Sequence, residues 1–463
     1  MPNQHKPLPP EDEIKEYVQF YYDLGQNDCE IQDNMKDHYN TELYGLSVSS
    51  IKRLRKKWDL LSTRQQKHTL ESIAPAIQEM RTRFPTRGVE MIRKQLRVEF
   101  NIRVPRSVVY NYLQMTEPDA LKARKARRFK RRRYHAAGVN DTWAQDQHDK
   151  WGPRFGLWLH HSADPFTGFL NWLKVWWTNK NPRLIAGYFI DTARKYGAIP
   201  LTTQSDPGSE NFGVANVQTL ARHRLDPTLV GTLQHRWLWH KANIKPEINW
   251  SVFRRDFAPG YEDLFQQGVV SGWYEVTNVV ENLVFRWIAI PWLQNELDKW
   301  ANTKNRTAPR SDRKKILPLG APLLIRTKPK KFNALDFKIP VTEDLLDDLE
   351  NEYAPKDHPV FQLTPPTFDE RARKIYEDIG TPEVTMASFW EIYRTMLERF
   401  RGEVDEEIEV VLTARVAEEQ GIDQEEISLL DGMKDLRQGD KVVGLQEHSD
   451  DGNYASFTDT DEE

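Results

Sequence analysis

The sequence predicts an α/β protein, with a mixed sheet flanked by helices, small all-α units before it and an acidic, partly disordered carboxy-terminal region after it. Three observations lead to this prediction. From Asn140 to about Trp300 the hydrophobic pattern alternates between strand and helix periods. The fifteen tryptophans concentrate between Trp143 and Trp300, which marks the position of the large core. Charge is segregated, with a basic stretch at 122–133 and an acidic tail at the other end.

Composition restricts the class of protein. A chain of 463 residues is too long for one ordinary core, so two to four domains are expected. Mean hydropathy of −0.71 and 29 % charged residues are typical of a soluble protein, and no apolar run approaches the roughly 20 residues that cross a bilayer. The first residues lack the apolar core of a signal peptide. Cys29 is the only cysteine, which excludes an internal disulfide framework and any zinc site with two thiolates, so we expect an intracellular protein without membrane insertion.

The amino-terminal region predicts a helix-turn-helix-like unit over residues 1–62. Gly45 ends one helical segment and Ser47 is a suitable N-cap for the next. Apolar residues of this second helix form an inner face, and its cations form a basic outer face. The residues predicted to contact DNA are Lys52, Arg53, Arg55 and Lys56. The alternative is a solvated helix in a bundle.

A second helix-turn-helix-like unit is predicted over residues 63–118. The segment 88–100 has helical periodicity, NIRV is a turn, and a second helix covers 105–113, with Pro105 suited to its first turn. The two units resemble each other in plan and not residue by residue.

A basic linker is predicted over residues 119–139. Nine of the twelve residues from Lys122 to Arg133 are Lys or Arg, enough to neutralise several phosphates. The predicted DNA contacts are Arg127, Arg128, Arg131, Arg132 and Arg133. A nuclear localisation signal is the other interpretation, and both can hold.

The core is predicted over residues 140–302, with three strands, a helix, a strand, a helix, a weak strand and a final helix. These elements are expected at 142–146, 155–164, 168–177, 181–197, 198–206, 216–225, 228–234 and from Asn243 onward. A basic linker is predicted at 303–340. Residues 341–463 are predicted to be an acidic region whose last thirty or so residues are disordered.

Three acids occupy positions that can converge. Asp146 ends the first strand, Asp206 ends the strand after the first long helix, and Glu247 lies near the start of a later helix. Carboxylates gathered at one point repel each other unless a cation neutralises them. Oxygen ligands without thiolates favour Mg²⁺ or Mn²⁺, and two such ions catalyse in-line phosphodiester displacement. Spacing alone is weak evidence, because a chain with 69 acids contains many such triples.

The residues around these acids carry a resemblance. The stretches TWAQDQHDKWG, SDPGSEN and HKANIKPEINW together resemble the integrase-core (DDE, RNase H-like) superfamily of retroviral integrases and transposases. The closest resemblance is to integrase-core proteins of transposon origin in eukaryotic genomes. It covers roughly 140–260 well and the flanking regions more loosely. Two departures are Gln147, where the family has glycine, and Pro207, directly after the second acid.

The resemblance implies a function and a site. It implies a metal-binding catalytic triad of Asp146, Asp206 and Glu247, two Mg²⁺ or Mn²⁺ ions, and DNA cleavage followed by strand transfer. It further implies DNA as partner and a homo-oligomer. The basic stretch at 122–133 supports a nuclear location, and the sequence has no Gly-rich phosphate-binding loop, so no nucleotide cofactor is expected. Residues predicted to support the acids are Asp149, His148, Asn243 and Glu210, and further predicted DNA contacts are Lys241, Lys245 and Arg254.

Several alternatives stay open. Asp149 competes with Asp146 as the first ligand, although the alternation of the strand favours Asp146. His148 is expected to pack and not to bind metal, and Asp164 is expected to be a turn residue. Asn243 is a possible N-cap for the helix of Glu247. Two interpretations of the whole protein compete with the integrase or transposase. One is a transposon-derived DNA-binding protein without activity. The other is an RNase-H-type hydrolase, which leaves the helix-turn-helix-like units unexplained.

Overall fold

The structure is a computed structural model that describes residues 6–121, 135–238, 243–310, 316–403, 412–414, 418–419 and 421–433. Its centre is a five-stranded mixed sheet. The strands are β1 (Thr142–His148), β2 (Trp158–Asp164), β3 (Phe169–Trp176), β5 (Thr202–Ser205) and β6 (His235–Trp237), and a separate pair consists of β4 (Ala198–Ile199) and β7 (Ile339–Pro340). The fold is the mixed sheet flanked by helices that the sequence predicted.

Helices precede the sheet and cover both of its faces. Before the sheet lie α1 (Glu11–Asp23), α2 (Asp28–Met35), α3 (Val48–Lys57), α4 (Thr63–Gln66), α5 (Leu70–Arg83), α6 (Val89–Glu99) and α7 (Arg106–Thr116). Within and after it lie α8 (Gly152–Phe155), α9 (Pro182–Tyr196), α10 (Phe212–Leu225), α11 (Ile244–Asp256), α12 (Ala258–Val270), α13 (Val279–Asn305), α14 (Pro322–Thr327), α15 (Glu343–Tyr353), α16 (Pro366–Asp378) and α17 (Phe389–Glu403). No described helix is both long and apolar enough to cross a bilayer.

The sheet has the strand order β3-β2-β1-β5-β6. The first three strands are antiparallel neighbours. Asp164 makes the β2–β3 turn by accepting hydrogen bonds from the backbone N–H groups of Phe166 (2.8 Å) and Thr167 (3.2 Å). This confirms Asp164 as a turn residue. By contrast, β5 lies parallel to both β1 and β6, because helices connect these strands. The weak strand expected at 228–234 lies a few residues later, as β6.

Two apolar cores sandwich the sheet. One face of β2 and β3 packs on α11, α12 and α13, and the residues from α16 and α17 complete this core. The opposite face, with Trp143 and Trp172, packs on α9, α10 and α15. The alternation of buried residues in β3, with Leu173 toward one core and Trp172 toward the other, is typical of a strand covered on both sides.

Side chains of α13 cover the edge of the sheet at β3. Gln294 accepts from the Val175 N–H (3.1 Å) and donates to the Leu173 carbonyl (3.0 Å). Asn305 makes the same pair of contacts with the N–H (2.8 Å) and carbonyl (2.9 Å) of Leu170. Two carboxamides therefore satisfy backbone groups that an edge strand would otherwise expose.

The amino-terminal helices form two small cores of their own. One contains α1, α2 and α3 with residues of α14, and the other contains α5, α6 and α7. Ser47 caps α3 by accepting from the Ser50 N–H (3.1 Å), as predicted. Lys52, Arg53 and Lys56 are exposed.

Arg55 was wrongly placed on the basic outer face of α3. Its side chain is buried, forms a salt bridge with Asp28, and donates to the Leu60 carbonyl (Nη2, 2.9 Å). The helical period puts position 55 beside Leu54 and Ile51, on the inner side of the helix. Arg55 therefore stabilises the unit and is removed from the predicted DNA contacts.

The linker interpretation of 303–340 was also wrong for the described residues. Here α13 continues to Asn305, α14 packs against the first amino-terminal core, and β7 pairs antiparallel with β4. Apolar Leu317 and Ile325 are buried within this basic stretch. The predicted boundary at 340 likewise crosses packed structure, since α15, α16 and α17 belong to the two main cores. The last thirty residues lie outside the described part of the chain, as do 122–134 of the predicted arm.

Buried ion pairs fix the second amino-terminal unit to the core. Arg87 binds Asp256 through two bonds, Nε–Oδ1 (2.8 Å) and Nη2–Oδ2 (2.9 Å), and Trp300 donates to the same carboxylate (2.8 Å). Arg83 binds Glu296 of α13 (2.9 Å) and Glu99 of α6 (2.5 Å). Paired charges that exclude water in this way fix the orientation of one unit on the other.

Replacing Arg87 by Ala is expected to lower the free energy of unfolding by about 3 kcal/mol, because Asp256 would be left as a buried charge without its bidentate partner. The matched control is Arg93→Ala, which removes a half-exposed pair with Glu90 and should cost below about 1 kcal/mol. Urea unfolding monitored by tryptophan fluorescence measures both. Equal losses in the two variants would contradict the assignment.

Candidate functional site

The two strand-end aspartates are brought together by the pairing of β1 with β5. The strands are parallel, with Trp143 opposite Thr203 and Ala144 opposite Gln204. Continuing this register by two residues places Asp206 opposite Asp146. Parallel neighbours present their carboxyl ends at one edge of a sheet, which is where open α/β sheets bind ligands.

Glu247 reaches the same edge from α11. It lies in the first turn of that helix, where the helix dipole favours an ionised carboxylate. The preceding Asn243 is fully buried and ties the start of the helix to the sheet. Its Nδ2 donates to the Gln145 carbonyl of β1 (2.9 Å), and its Oδ1 accepts from Nε2 of Gln204 on the neighbouring strand β5 (3.3 Å).

Asn243 therefore has a different role from the predicted helix cap. It occupies the N-cap position, but its side chain makes no capping hydrogen bond. Both ends of its carboxamide bond to the two central parallel strands instead, one residue before Asp146 and two before Asp206. The side chain positions the helix of Glu247 against the strands of the aspartates, which supports its predicted place beside the acids.

Burial, followed by mutual repulsion, determines the electrostatics of this edge. Burial and, next in size, the charge of Asp206 raise the pKa of Asp146 to about 8, and Glu247 and Asp149 act in the same direction. The Gln147 backbone N–H opposes this shift. Burial also raises the pKa of Asp206, whose Oδ1 is buried without a hydrogen-bond partner among the described residues. An orphaned carboxylate oxygen of this kind fits a ligand for a cation.

The donor set fits a hard divalent cation in chemistry, because it consists of carboxylate oxygens. The acids are not preassembled: within the described residues, no group of three His, Cys, Asp or Glu is placed to hold a metal ion. The carboxylates at this edge therefore repel each other, and in the described residues they are not arranged as a metal site.

Glu210 lies behind Asp206 in the 3₁₀ turn Ser209–Asn211, at the start of α10. Its Oε1 accepts from Asn211 Nδ2 (2.8 Å), and its carboxylate lies over Gly208, where a Cβ would come within 2.1 Å of Oε1. Burial, followed by the charges of Asp149 and Asp206, raises the pKa of Glu210. The Glu210 carboxylate occupies the space that a side chain at 208 would fill.

Asp149 and His148 follow Asp146 but differ in environment. Asp149 is exposed, and Asn179 in the β3–α9 connection donates to its Oδ1 (2.8 Å). His148 is buried against Trp250 (ring centroids 5.0 Å apart) and Phe253 (5.9 Å). Burial lowers the pKa of His148 to about 4, so the ring is neutral near pH 7. His148 therefore packs in the core, and Asp149 lies at the exposed side of the strand ends.

Several polar residues around the edge were not predicted from the sequence. His161 on β2 contacts the Asp146 carbonyl through Nδ1 (3.2 Å), and Asn249 on α11 contacts His161 Nε2 (3.3 Å). Asn179 holds Asp149, as described above. The cross-strand position of His161, directly opposite Asp146, could have been found from the hairpin register. Asn249, two residues after Glu247, carried no signal in its spacing.

The predicted DNA contacts near the edge are only partly described. Lys245 and Arg254 are partly buried on α11. The Arg254 charge lowers the pKa of Lys150 and of His148, in each case after burial. Lys241 and the five arginines of the basic arm lie outside the described residues.

A mixed sheet flanked by helices carries acids at the carboxyl ends of two parallel strands. Residues 133–319 match the family model of the integrase core domain. The match supports a relation to the polynucleotidyl-transferase-like families. No curated protein matches the chain with significant similarity.

Without metal, Asp146→Asn is expected to stabilise the protein near pH 7. The raised pKa of Asp146 means that the unfolded state loses this proton near pH 4 but the folded state only near pH 8, so wild-type stability falls as pH rises through that window. The neutral amide avoids this loss. We expect a gain of about 2 kcal/mol at pH 7.5, after discounting for solvent screening, and no gain at pH 4.

The measurement is urea unfolding in EDTA at pH 4, 6 and 7.5. The control is Asp263→Asn, an exposed acid on α12. A gain of the same size at pH 4 would show that the amide stabilises for another reason.

Proposed function

We propose that the protein is a DDE-type integrase or transposase, which cleaves DNA phosphodiesters with divalent metal and joins the freed 3′-hydroxyl to target DNA. One observation carries this proposal. Asp146 and Asp206 end adjacent parallel strands, and Glu247 lies at the start of a helix that Asn243 ties to the same strands. The charges of Asp206 and Glu247 raise the pKa of Asp146. Three acids in this relation are stabilised together as ions only when cations neutralise them.

Asp146, Asp206 and Glu247 would hold two Mg²⁺ or Mn²⁺ ions, which when bound supply Lewis-acid activation of the attacking and leaving oxygens. The chain contributes position and charge. Asn243 keeps the first turn of α11 against β1. Asp149 and Glu210 add negative potential that draws cations to the edge.

DNA is the proposed partner, bound in part by the exposed cations of α3: Lys52, Arg53 and Lys56. The basic arm would neutralise phosphates independently of sequence. We further propose a homo-oligomer, since two DNA ends must be joined to one target, and a nuclear location, consistent with the basic stretch at 122–133. No nucleotide cofactor is proposed.

One observation favours a second candidate, a transposon-derived DNA-binding protein without activity. In the described part of the chain the acids are not placed to hold a metal, and the raised pKa of Asp146 favours its protonated form at pH 7. A protonated carboxyl is a poor metal ligand. In this alternative the fold serves as a scaffold for the helical DNA-binding units.

Asp206→Asn is expected to abolish Mn²⁺-dependent nicking and strand transfer, because it removes one of the carboxylates while keeping the shape of the side chain. The full chain is incubated with supercoiled plasmid and Mn²⁺ or Mg²⁺, and Mn²⁺ binding is followed by electron paramagnetic resonance. Asp263→Asn serves as the exposed control and should behave as wild type. If wild type and Asp206→Asn bind Mn²⁺ equally and both are inert, the inactive DNA-binding protein is the better description.

Replacing Arg127, Arg128, Arg131, Arg132 and Arg133 by Ala is expected to flatten the salt dependence of DNA affinity. Each lost phosphate contact reduces the slope of log K against log salt by about 0.9, so the five changes reduce it by up to about 4.5. Fluorescence anisotropy from 50 to 300 mM NaCl measures the slope. A comparable loss of charge at exposed Arg373, Lys374, Arg394 and Arg399 is the control. An unchanged slope in the arm variant would exclude the arm from phosphate binding.

A further inference from the structure

We propose that Lys304, Asn249 and His161 form a hydrogen-bonded relay that positions the Asp146 end of β1 against the helix of Glu247. The relay rests on the proposed function, because the site it positions is the proposed metal site. Its members come from α13, α11 and β2, and each touches the next. They would be positioning residues, since none of them is a proposed ligand.

Three hydrogen bonds connect Lys304 to the backbone of Asp146 by way of Asn249 and His161. Lys304 Nζ donates to Asn249 Oδ1 (2.6 Å). Asn249 Nδ2 faces His161 Nε2 (3.3 Å), and His161 Nδ1 faces the backbone carbonyl of Asp146 (3.2 Å). The last contact crosses the sheet between residues that are direct partners in the β1–β2 pair.

The chemistry of the end members fixes the proton positions. Burial lowers the pKa of Lys304 to about 7, so the order of donors is fixed by the Asp146 carbonyl, which can only accept. With Nδ1 of the neutral ring donating there, Asn249 presents its N–H₂ to His161 and its oxygen to Lys304 Nζ. A donor facing Nε2 requires that nitrogen to be an unprotonated acceptor. The single ring proton of His161 then lies on Nδ1, where it donates to the Asp146 carbonyl, which can only accept. The three contacts are therefore mutually consistent in one tautomer only.

Burial supports this neutral tautomer. His161 is 1 % exposed and packs against Trp250, with ring centroids 4.4 Å apart. Burial holds the pKa of His161 well below its usual value. A buried neutral imidazole with both nitrogens satisfied holds its ring in one orientation.

The relay complements the tie made by Asn243. Asn243 bonds to the Gln145 carbonyl, and His161 bonds to the carbonyl of the next residue, Asp146. Both connections lead to α11, one through its N-cap position and one through Asn249 in its second turn. The backbone on both sides of the first aspartate is thus fixed relative to Glu247. Outer partners that orient ligands typically change metal affinity or activity by 10–100-fold when removed.

The first test uses Lys304→Met and Asn249→Leu in the full chain, with DNA nicking measured across Mn²⁺ concentrations. We expect the Mn²⁺ concentration for half-maximal activity to rise about tenfold while KM for DNA changes less than about twofold. Lys304→Arg keeps a donor and should restore most of the loss. The control is Lys299→Met, which removes the ion pair with Glu296 on the same helix. An unchanged Mn²⁺ requirement in both variants, with only a lower unfolding midpoint, would show a purely structural role and overturn the proposal.

The second test does not depend on activity. The full chain carrying ¹⁵N-histidine is examined by nuclear magnetic resonance, and loss of one signal set in His161→Asn assigns the ring. We expect Nδ1 protonated and Nε2 unprotonated. A protonated Nε2 in wild type overturns the relay even if the protein is active. The expected tautomer in a protein that neither binds Mn²⁺ nor cuts DNA supports the relay contacts and overturns the proposed function.

Discussion

The parallel pairing of β1 with β5 is the constraint on which the rest of the structure depends. It brings two aspartates to one edge, where their charges oppose each other. Antiparallel pairing would have sent the two strand ends in opposite directions. The pairing also needs the α9 crossover, whose inner face forms one of the two main cores. The cost of gathering the acids is therefore offset by the packing of the layers around them.

Helix α13 connects the parts of the molecule that surround this edge. Glu296 binds Arg83 of the second amino-terminal unit, Gln294 binds β3, and Lys304 reaches α11 beside the acids. One helix of 27 residues thus contacts the second amino-terminal unit, the sheet and the candidate site.

Much of the fold was predictable because its signals are local. Period-two patterns gave β1, β2 and β3, and Gly197, at a φ of +59°, ended α9 as predicted. The three acids were found through the stretches of sequence around them. What failed depended on contacts distant in sequence: Arg55 is buried because Asp28 pairs with it, and the basic stretch 303–340 packs because its few apolar residues find cores built elsewhere. Composition averages over such residues and cannot reveal them.

The supporting residues of the site were harder to predict than the acids for the same reason. Asn243 was expected to cap its own helix, since sequence shows only near neighbours, and its true partners are 98 and 39 residues away. Asn249 and Lys304 are 55 residues apart and meet only because α11 and α13 cross. Polar residues act through such distant partners wherever a site is assembled from several elements.

The carboxamides of Gln294 and Asn305 along β3 have a consequence for how copies of the chain can associate. A sheet edge with open backbone groups invites a second sheet to extend it, and here those groups are occupied at Leu170, Leu173 and Val175. A neighbouring subunit would have to displace two side chains of a long buried helix to add a strand there. A second copy of the chain is therefore kept from extending the sheet at its β3 edge, so any association there would have to use side-chain packing.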